Sequence, residues 1–442
     1  MSLARQPATT PAQANYALIV LLLAYILSFI DRNAMAVLIG PIRDDFGISD
    51  FQYSLLHGFA FSIFYIFLGL PIARMADRGN RKTIVTIGVF FWSVMTCLCG
   101  FASSFKALFL ARIGVGVGEA ALSPPAYSLL SDYFSRDTLP RAMAVYTLGI
   151  TLGGGLAYII GGSVYQYFLT NGPLSGPGIE QLRPWQLTFI AVGLPGFLLV
   201  LALSFMIEPG RREIDASAAT GNSHLSVSEV IACMKGHWQA YAALILGVSA
   251  LSVLGYGTMA WYPEFLVRSH GLSRVEAGSN FGMIFIVAGS IGAIVGGWSA
   301  KPLTRRGYSD ANMRIVMWVA LLWMIPAAVG PMLPTATLAL WAAVPTVFFL
   351  NSYFGVCIAA VQLITPNRMR AQVSAILLFM TNLFGLALGP SLIAALTDFV
   401  FKDDAALGRS LMILPLFVCP LAAALLAWGL KYYRAALAAS LE

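Results

Sequence analysis

The chain carries very little charge for its length. Only 11% of its 442 residues are Asp, Glu, Lys or Arg, whereas 58% are hydrophobic, and the mean hydropathy is +0.78. Soluble globular domains carry about 25% charged residues. The composition therefore excludes a water-soluble fold and predicts a chain that uses lipid as its solvent.

Cysteine and histidine are also scarce, and their positions are scattered. The sequence has five cysteines and four histidines, and none of them has the spacing of a metal-ligand set. It contains no phosphate-binding loop and no nucleophile elbow. We therefore expect no enzymatic activity, no metal and no organic cofactor.

Long apolar runs dominate the chain. Twelve runs of about 20 residues, each long enough to cross a ~30 Å hydrocarbon core as a helix, predict an all-α membrane protein with twelve transmembrane spans. The predicted spans, numbered 1 to 12, are residues 16–39, 52–75, 82–103, 106–132, 141–168, 185–207, 239–267, 276–303, 312–330, 335–363, 370–398 and 409–433.

The distribution of basic residues orients these spans. With the N-terminus in the cytoplasm, 18 of the 27 Lys and Arg residues fall in cytoplasmic segments and seven in outer segments. Arg32 and Arg112 lie within spans. Cytoplasmic loops of membrane proteins carry such an excess of positive charge, so we expect both termini in the cytoplasm. We expect the protein to lie in the inner or plasma membrane. The positive net charge needs no nucleic acid as a partner.

A polar stretch divides the spans into two sets of six. We expect a disordered N-terminus over 1–15, a six-helix bundle over 16–207, a second bundle over 239–433 and a cytoplasmic tail over 434–442. The linker over 208–238 contains apolar residues at helical spacing, which predict a short amphipathic helix on the membrane surface.

Four ionisable residues lie deep within predicted spans 1 and 4. Arg112 and Glu119 are seven residues apart in "RIGVGVGEAAL", so a helix places them on nearly one face about 10 Å apart. Asp31 in span 1 has a depth between them and nearer Arg112, and Arg32 follows it. A charge at the centre of a bilayer costs roughly 2.5 to 3.5 kcal/mol, so such residues indicate an ion or substrate path. The alternative is that the four charges neutralise one another and fix helix packing.

Aromatic and small residues complete the predicted interior. Aromatic residues that line a cavity favour an amphipathic ligand, although they also fill any membrane bundle; they are Tyr25, Phe29, Tyr65, Tyr127, Tyr353 and Phe354. Small residues at helical spacing allow helices to approach closely, either as hinges or as plain packing. These residues are Gly149, Gly153 and Gly161 in span 5, and Gly385 and Gly389 in span 11.

The loop "ARMADRGNRK" resembles the signature of the major facilitator superfamily. Asp77, Arg78, Arg81 and Lys82 stand at matching positions, whereas Ala73 and Asn80 replace two glycines of the pattern. The resemblance implies two six-helix bundles and a cytoplasmic gate formed by these four residues. We expect Arg141, at the start of span 5, to belong to the same gate.

Within that superfamily the chain is most similar to the spinster family of lysolipid and sphingolipid transporters. Four segments resemble spinster segments and follow one another in the same order as in that family; they are "FIDRNAM", "RIGVGVGEAALSPPAYSLLSDYF", "LGGGLAYIIGG" and "IEPGRR". The resemblance implies that Asp31 and Glu119 exchange protons and that Arg32 and Arg112 bind a headgroup or relay charge.

Together these patterns predict a carrier that works by alternating access and is driven by a proton gradient. The expected substrate is a lysophospholipid or a sphingoid phosphate such as sphingosine-1-phosphate. An organic-anion or sugar-acid symporter of the same fold, and a receptor without transport, are the alternatives. We expect a monomer whose partners are a small amphipathic or anionic substrate and membrane lipids.

Overall fold

The computed structural model describes residues 10–135, 137–173, 180–210, 227–366 and 369–441, except for the side chains of residues 70, 73, 77, 78, 227, 228, 371, 440 and 441. Every regular element among these residues is helical. The N-terminal half contains α1 (Pro11–Asn33), α2 (Ile39–Phe46), α3 (Asp50–Ser54), α4 (Ala60–Arg78), α5 (Arg81–Cys99), α6 (Phe105–Glu119), α7 (Ser123–Tyr133), α8 (Leu139–Asn171), α9 (Pro184–Gly193) and α10 (Pro195–Ser204).

The C-terminal half begins with the predicted linker helix. Its helices are α11 (Val227–Gly236), α12 (Trp238–His270), α13 (Arg274–Arg305), α14 (Ala311–Val329), α15 (Ala336–Ser352), α16 (Phe354–Leu363), α17 (Arg370–Ala395) and α18 (Leu407–Leu441). Two π-helical turns, Leu55–Phe59 and Leu396–Phe401, follow α3 and α17.

Eleven helical stretches of the described residues are long and apolar enough to cross a membrane. The remaining predicted span, 106–132, is not one continuous helix, because α6 ends at Glu119 and α7 starts at Ser123. Pro124 and Pro125 explain the break, since two consecutive residues without an N–H cannot continue the hydrogen-bond ladder of α6 but fit the first turn of a new helix. Both halves of span 4 are present, and the chain has the twelve-span architecture expected from its sequence.

Helix ends differ from the predictions at both termini. The first helix begins at Pro11 and not at residue 16, because Thr10 and Gln13 form a capping box and Pro11 occupies the first helical position. The last helix continues through the predicted tail to Leu441. Residues 1–9 of the predicted disordered N-terminus lie outside the described residues.

The contacts divide the chain into two compact units. Unit 1 comprises the described residues within Met1–Phe46 and Ala60–Ser223, and unit 2 those within Gly47–Phe59 and His224–Glu442. The start of span 2, residues 47–59, therefore belongs to unit 2 and not to the N-terminal half from which it comes.

Glycines allow very close helix packing in both units. A Cβ on Gly153 of α8 would lie 2.7 Å from the Ile26 carbonyl oxygen and 2.7 Å from Phe29 Cβ in α1. In unit 2 a Cβ on Gly389 of α17 would lie 2.6 Å from the Val253 carbonyl oxygen in α12. The close approach predicted for spans 5 and 11 is present, and the hinge role stays a prediction.

Candidate functional site

The four charged residues predicted within the spans form one buried cluster in unit 1. Asp31 and Arg112 are fully buried, Glu119 is 1% exposed and Arg32 is 5% exposed. Asp31 and Arg32 come from α1, and Arg112 and Glu119 come from α6. Two acids and two arginines balance each other in a region where an unpaired charge would be strongly unfavourable.

Glu119 forms an ion pair with Arg32 through one of its two oxygens. Arg32 Nη2 lies 2.7 Å from Glu119 Oε2, and Ser28 Oγ donates a hydrogen bond of 2.7 Å to the same oxygen. Glu119 Oε1 is buried and has no hydrogen-bond partner among the described residues. The carboxylate is thus held at one oxygen and can accept a proton at the other.

Asp31 lies beside Arg112, as the depth along the helices predicts. Thr96 Oγ1 of α5 donates to Asp31 Oδ2 at 3.3 Å, and Arg112 Nη1 donates to the Asp31 backbone carbonyl at 3.4 Å. Among the described residues, Arg112 Nε and Nη2 and Asp31 Oδ1 have no hydrogen-bond partner. This half of the cluster therefore keeps free hydrogen-bonding capacity on both a cation and an acid.

Aromatic rings surround the two guanidinium groups. The Arg32 guanidinium carbon lies 4.5 Å from the centre of the Phe61 ring, and 5.0 Å from those of Phe29 and Tyr65. The Arg112 guanidinium lies 5.6 Å from the same Phe61 ring. Ring faces attract cations, so Phe61 supports both arginines, although its sequence neighbourhood gives no sign of this role.

The glycines before Glu119 explain why the cluster forms. A Cβ on Gly116 would lie 2.3 Å from the Phe61 carbonyl oxygen of α4, and one on Gly118 would lie 2.7 Å from Trp92 Cβ of α5. Any larger residue would force α6 away from these two helices. The run "GVGVGE" therefore brings Glu119 within reach of Arg32 on α1.

The predicted aromatic residues fall into both units. In unit 1, Tyr25 is buried and stacks on Tyr146 with ring centres 4.6 Å apart, and Tyr127 packs edge-on against the same Tyr146. In unit 2, Tyr353 is buried, stacks on Trp323 and has its hydroxyl 3.4 Å from Ser252 Oγ. Phe354 packs edge-on against Tyr353.

Arg81 of the predicted cytoplasmic gate lies in a buried ion-pair network of unit 1. It pairs with Asp132 of α7 and, at 2.7 Å from Nε, with Glu208 after α10. The Lys82 backbone N–H donates to Glu208 Oε2 at 2.8 Å. Asp132 and Glu208 stand in the segments "SLLSDYF" and "IEPGRR", and sequence reasoning gave neither of them a role.

The remaining predicted gate residues are Arg141, Asp77 and Arg78. Arg141 is exposed. The side chains of Asp77 and Arg78 lie outside the described residues.

A second buried charge cluster lies in unit 2, near the start of span 2 and the end of span 7. Arg268 pairs with Asp50 through two hydrogen bonds of 2.8 and 2.9 Å, and its Nε lies 2.8 Å from Glu264. Arg274 Nη1 lies 2.7 Å from the other oxygen of Glu264. The sequence signals this cluster only weakly, because all four residues are close to the predicted membrane surface.

The chain thus has twelve membrane-spanning segments, and unit 1 encloses a buried, balanced set of acids and arginines. Both features are typical of membrane transporters of small molecules. The family model described as the Major Facilitator Superfamily matches residues 21–390. The chain belongs to this superfamily and is spinster-like within it.

Known proteins support the same assignment. A crystal structure of a bacterial homologue of the human lysosomal transporter spinster, inward-facing and unoccupied, has 26% identity and a TM-score of 0.78, with 98% of each chain covered. An MFS-type efflux pump of Mycolicibacterium smegmatis is 29% identical, covering 91% of this chain and 90% of its own. A probable L-galactonate transporter of Escherichia coli is 23% identical, covering 81% and 78% respectively.

Proposed function

We propose that the protein is a proton-coupled secondary transporter that moves an amphipathic anionic lipid by alternating access. The observation that carries the proposal is the buried pair between Arg32 and Glu119, 2.7 Å apart. An arginine in this pair can bind either the carboxylate of Glu119 or an anionic group of a substrate. Protonation of Glu119 decides which of the two it binds.

The coupling follows from competition for Arg32. When Glu119 loses its charge by taking up a proton, the attraction that holds the Arg32 guanidinium is removed, and an anionic headgroup can replace it. Because Glu119 Oε1 has no hydrogen-bond partner among the described residues, the proton has an oxygen to bind without first breaking the pair. By linkage, binding of the anionic substrate favours uptake of a proton by Glu119. The carrier therefore holds the proton and the anion at the same time.

Asp31 and Arg112 form the second, looser part of the cluster. Arg112 contacts only the backbone carbonyl of Asp31 within hydrogen-bond distance, and two of its nitrogens have no partner among the described residues. We assign Asp31 a second proton and Arg112 a place in headgroup binding or charge relay. Both arginines lie over aromatic rings, which suits a ligand with an anionic head and an apolar body.

The spinster-like character of the chain supports a lysophospholipid or sphingoid phosphate as the substrate. The similarity to the probable L-galactonate transporter of Escherichia coli supports a second candidate, an organic or sugar acid. Both candidates use an anion that competes with Glu119. They differ in whether the substrate has an acyl chain.

A flux assay separates the two candidates. The purified protein is reconstituted into vesicles with an imposed pH gradient, and movement of a labelled lysophospholipid, sphingosine-1-phosphate and galactonate is measured in parallel. We expect gradient-driven movement of one or both lipids, and its loss in Arg32→Gln. Lys106→Gln removes one exposed positive charge from the same unit and should transport normally. Galactonate flux without lipid flux would contradict the lipid assignment, and absence of all flux would support a receptor.

A further inference from the structure

An apolar groove runs along α13 and α15 of unit 2, and α14 borders it at the end next to Ser299. It consists of two adjoining cavities of about 180 and 320 Å³ that share Phe348 and Phe349 of α15. On α13 the groove extends from Ser299 to Val287. Trp318 and Leu322 of α14, both about half exposed, form its other wall.

The length of the groove matches one leaflet of a bilayer. Ser299 and Val287 lie about 18 Å apart along the helix at 1.5 Å per residue, and one leaflet occupies about half of a ~30 Å hydrocarbon core. Close packing fixes one edge of the groove, because a Cβ on Gly296 would lie 2.0 Å from the Ser352 carbonyl oxygen. The groove is therefore a fixed feature of helix packing with room for an acyl chain.

The end of the groove next to Ser299 is basic. Lys301, Arg305 and Arg306 follow Ser299 at the end of α13, and all three are exposed. Arg306 lies seven residues beyond Ser299, which is nearly the same face of the helix. Arg306 is therefore complementary to an anionic headgroup placed directly above the groove, whereas Lys301 and Arg305, about 200° and 240° from Ser299 around the helix, add positive charge on the other side of the same helix end.

The nearest acid does not compete for these three cations. Asp310 is the only acidic residue between Ser299 and Trp318 in the sequence. It is buried, accepts a bond of 2.6 Å from Arg314 Nε and lies 3.7 Å from Arg434 Nε. The charge of Asp310 is therefore balanced by other arginines.

Exposed aromatic residues mark the membrane surface at this end. Trp298 is 74% exposed and Tyr308 is 44% exposed, and Trp and Tyr concentrate where the hydrocarbon meets the headgroups. The boundary between apolar groove and basic rim thus coincides with the level at which a phospholipid changes from acyl chain to headgroup.

We propose that this groove is a binding site for an anionic phospholipid of the leaflet that the basic helix ends face. One acyl chain lies along α13 against α15, and the phosphate binds Arg306. The site is separate from the buried charge cluster of unit 1 and does not depend on which substrate the protein transports.

Lipid retention by the full-length protein tests the headgroup part of the proposal. The detergent-purified protein is titrated with phosphatidylglycerol or phosphatidylcholine of the same acyl chains, and bound lipid is counted by native mass spectrometry. We expect a preference for phosphatidylglycerol, weakened about fivefold by Arg306→Gln, because a basic residue near an anionic lipid contributes about that factor. Arg409→Gln, an equal charge change at an exposed arginine of unit 2 away from the groove, should leave the preference unchanged. Equal affinity for both lipids, or an equal loss in Arg409→Gln, would overturn the site.

A groove-filling variant tests the acyl-chain part. Val295 lines the groove and is 43% exposed, so Val295→Phe fills the space without disturbing the interior. We expect Val295→Phe to reduce retention of phosphatidylglycerol, and Leu110→Phe, a matched change at an exposed position of unit 1, to have no effect. Full retention in Val295→Phe would show that the lipid is attracted by charge alone and would overturn the groove as its site.

Discussion

Glu119 and Arg112 were conspicuous in the sequence as two charges on one apolar helix, yet they do not pair with each other. Seven residues separate them by about 10 Å along α6, which is too far for direct contact. Glu119 instead pairs with Arg32 of α1 at 2.7 Å, and Arg112 contacts the backbone of Asp31. The charged residues of α6 therefore contact residues of α1 and not each other.

Ser28 supplies a second hydrogen bond to Glu119, which a mutation can remove without changing Arg32 or Glu119. Its hydroxyl donates to the same Glu119 oxygen as Arg32, at 2.7 Å, and so stabilises the charged carboxylate. Ser28→Ala removes this donor. The pH of half-maximal gradient-driven transport should then rise by roughly one unit, because the lost hydrogen bond to a charged group contributes about 1.5 kcal/mol.

The matched control is Ser93→Ala. Ser93 is equally buried, but its hydroxyl bonds only to the Val89 carbonyl on its own helix. Its transport midpoint should stay at the wild-type pH. A midpoint that is unchanged or lower in Ser28→Ala would contradict the role of Ser28.

At the scale of helices, the sequence predicts where the membrane spans lie, because this depends on the length of the apolar runs. It does not predict which side chains of different helices contact each other. The apolar runs located the spans, and small residues located the close packing of α8 on α1. The break after Glu119 could have been predicted from the consecutive prolines Pro124 and Pro125, because two adjacent residues without an N–H interrupt the hydrogen-bond ladder more than the single prolines inside other spans of this chain do. Phe61 and Ser28 could not, because an aromatic ring or a hydroxyl in a membrane span has the same local pattern whether it faces a charge or another apolar residue.

The packing of α1 against α8 depends on Gly153. Gly153→Ala would place a methyl group 2.7 Å from the Ile26 carbonyl oxygen and from Phe29 Cβ. We expect a lower unfolding temperature in detergent, corresponding to about 1 to 3 kcal/mol for an overpacked interface.

Gly69→Ala is the control for this change. Gly69 lies in α4 of the same unit, and a Cβ there meets no atom of the described residues within 4 Å. Its unfolding temperature should equal or exceed that of the wild type, because alanine favours the helix. Equal unfolding temperatures for the two variants would argue against a tight α1–α8 contact.

At the scale of the whole molecule, the twelve-span architecture follows from composition and charge distribution, while its orientation stays a prediction. Arg305 and Arg409 are both exposed, and the charge distribution places Arg305 on the cytoplasmic side and Arg409 outside. In a background without the five native cysteines, Arg305→Cys and Arg409→Cys therefore report opposite sides. A membrane-impermeant thiol reagent added to intact cells should label only Arg409→Cys, and labelling of Arg305→Cys alone would reverse the topology.

The assignment of residues 47–59 to unit 2 could not be predicted from the sequence. Residues 47–59 precede α4 in the sequence and belong to unit 2, since Asp50 is held there by Arg268. Asp50 and Arg268 are more than 200 positions apart in the chain. A single sequence cannot pair residues so distant, whereas Asp31 and Arg112 could be related through their depths in two helices.

Proton-driven substrate accumulation by Glu119→Gln in reconstituted vesicles tests whether Glu119 and the substrate compete for Arg32. Glutamine keeps the size of the side chain and mimics the protonated acid, so Arg32 should bind the anionic substrate at every pH. We expect exchange of substrate between the two sides of the membrane to continue, and accumulation driven by a pH gradient to be abolished. Gradient-driven accumulation in Glu119→Gln with the pH dependence of the wild type would contradict this competition.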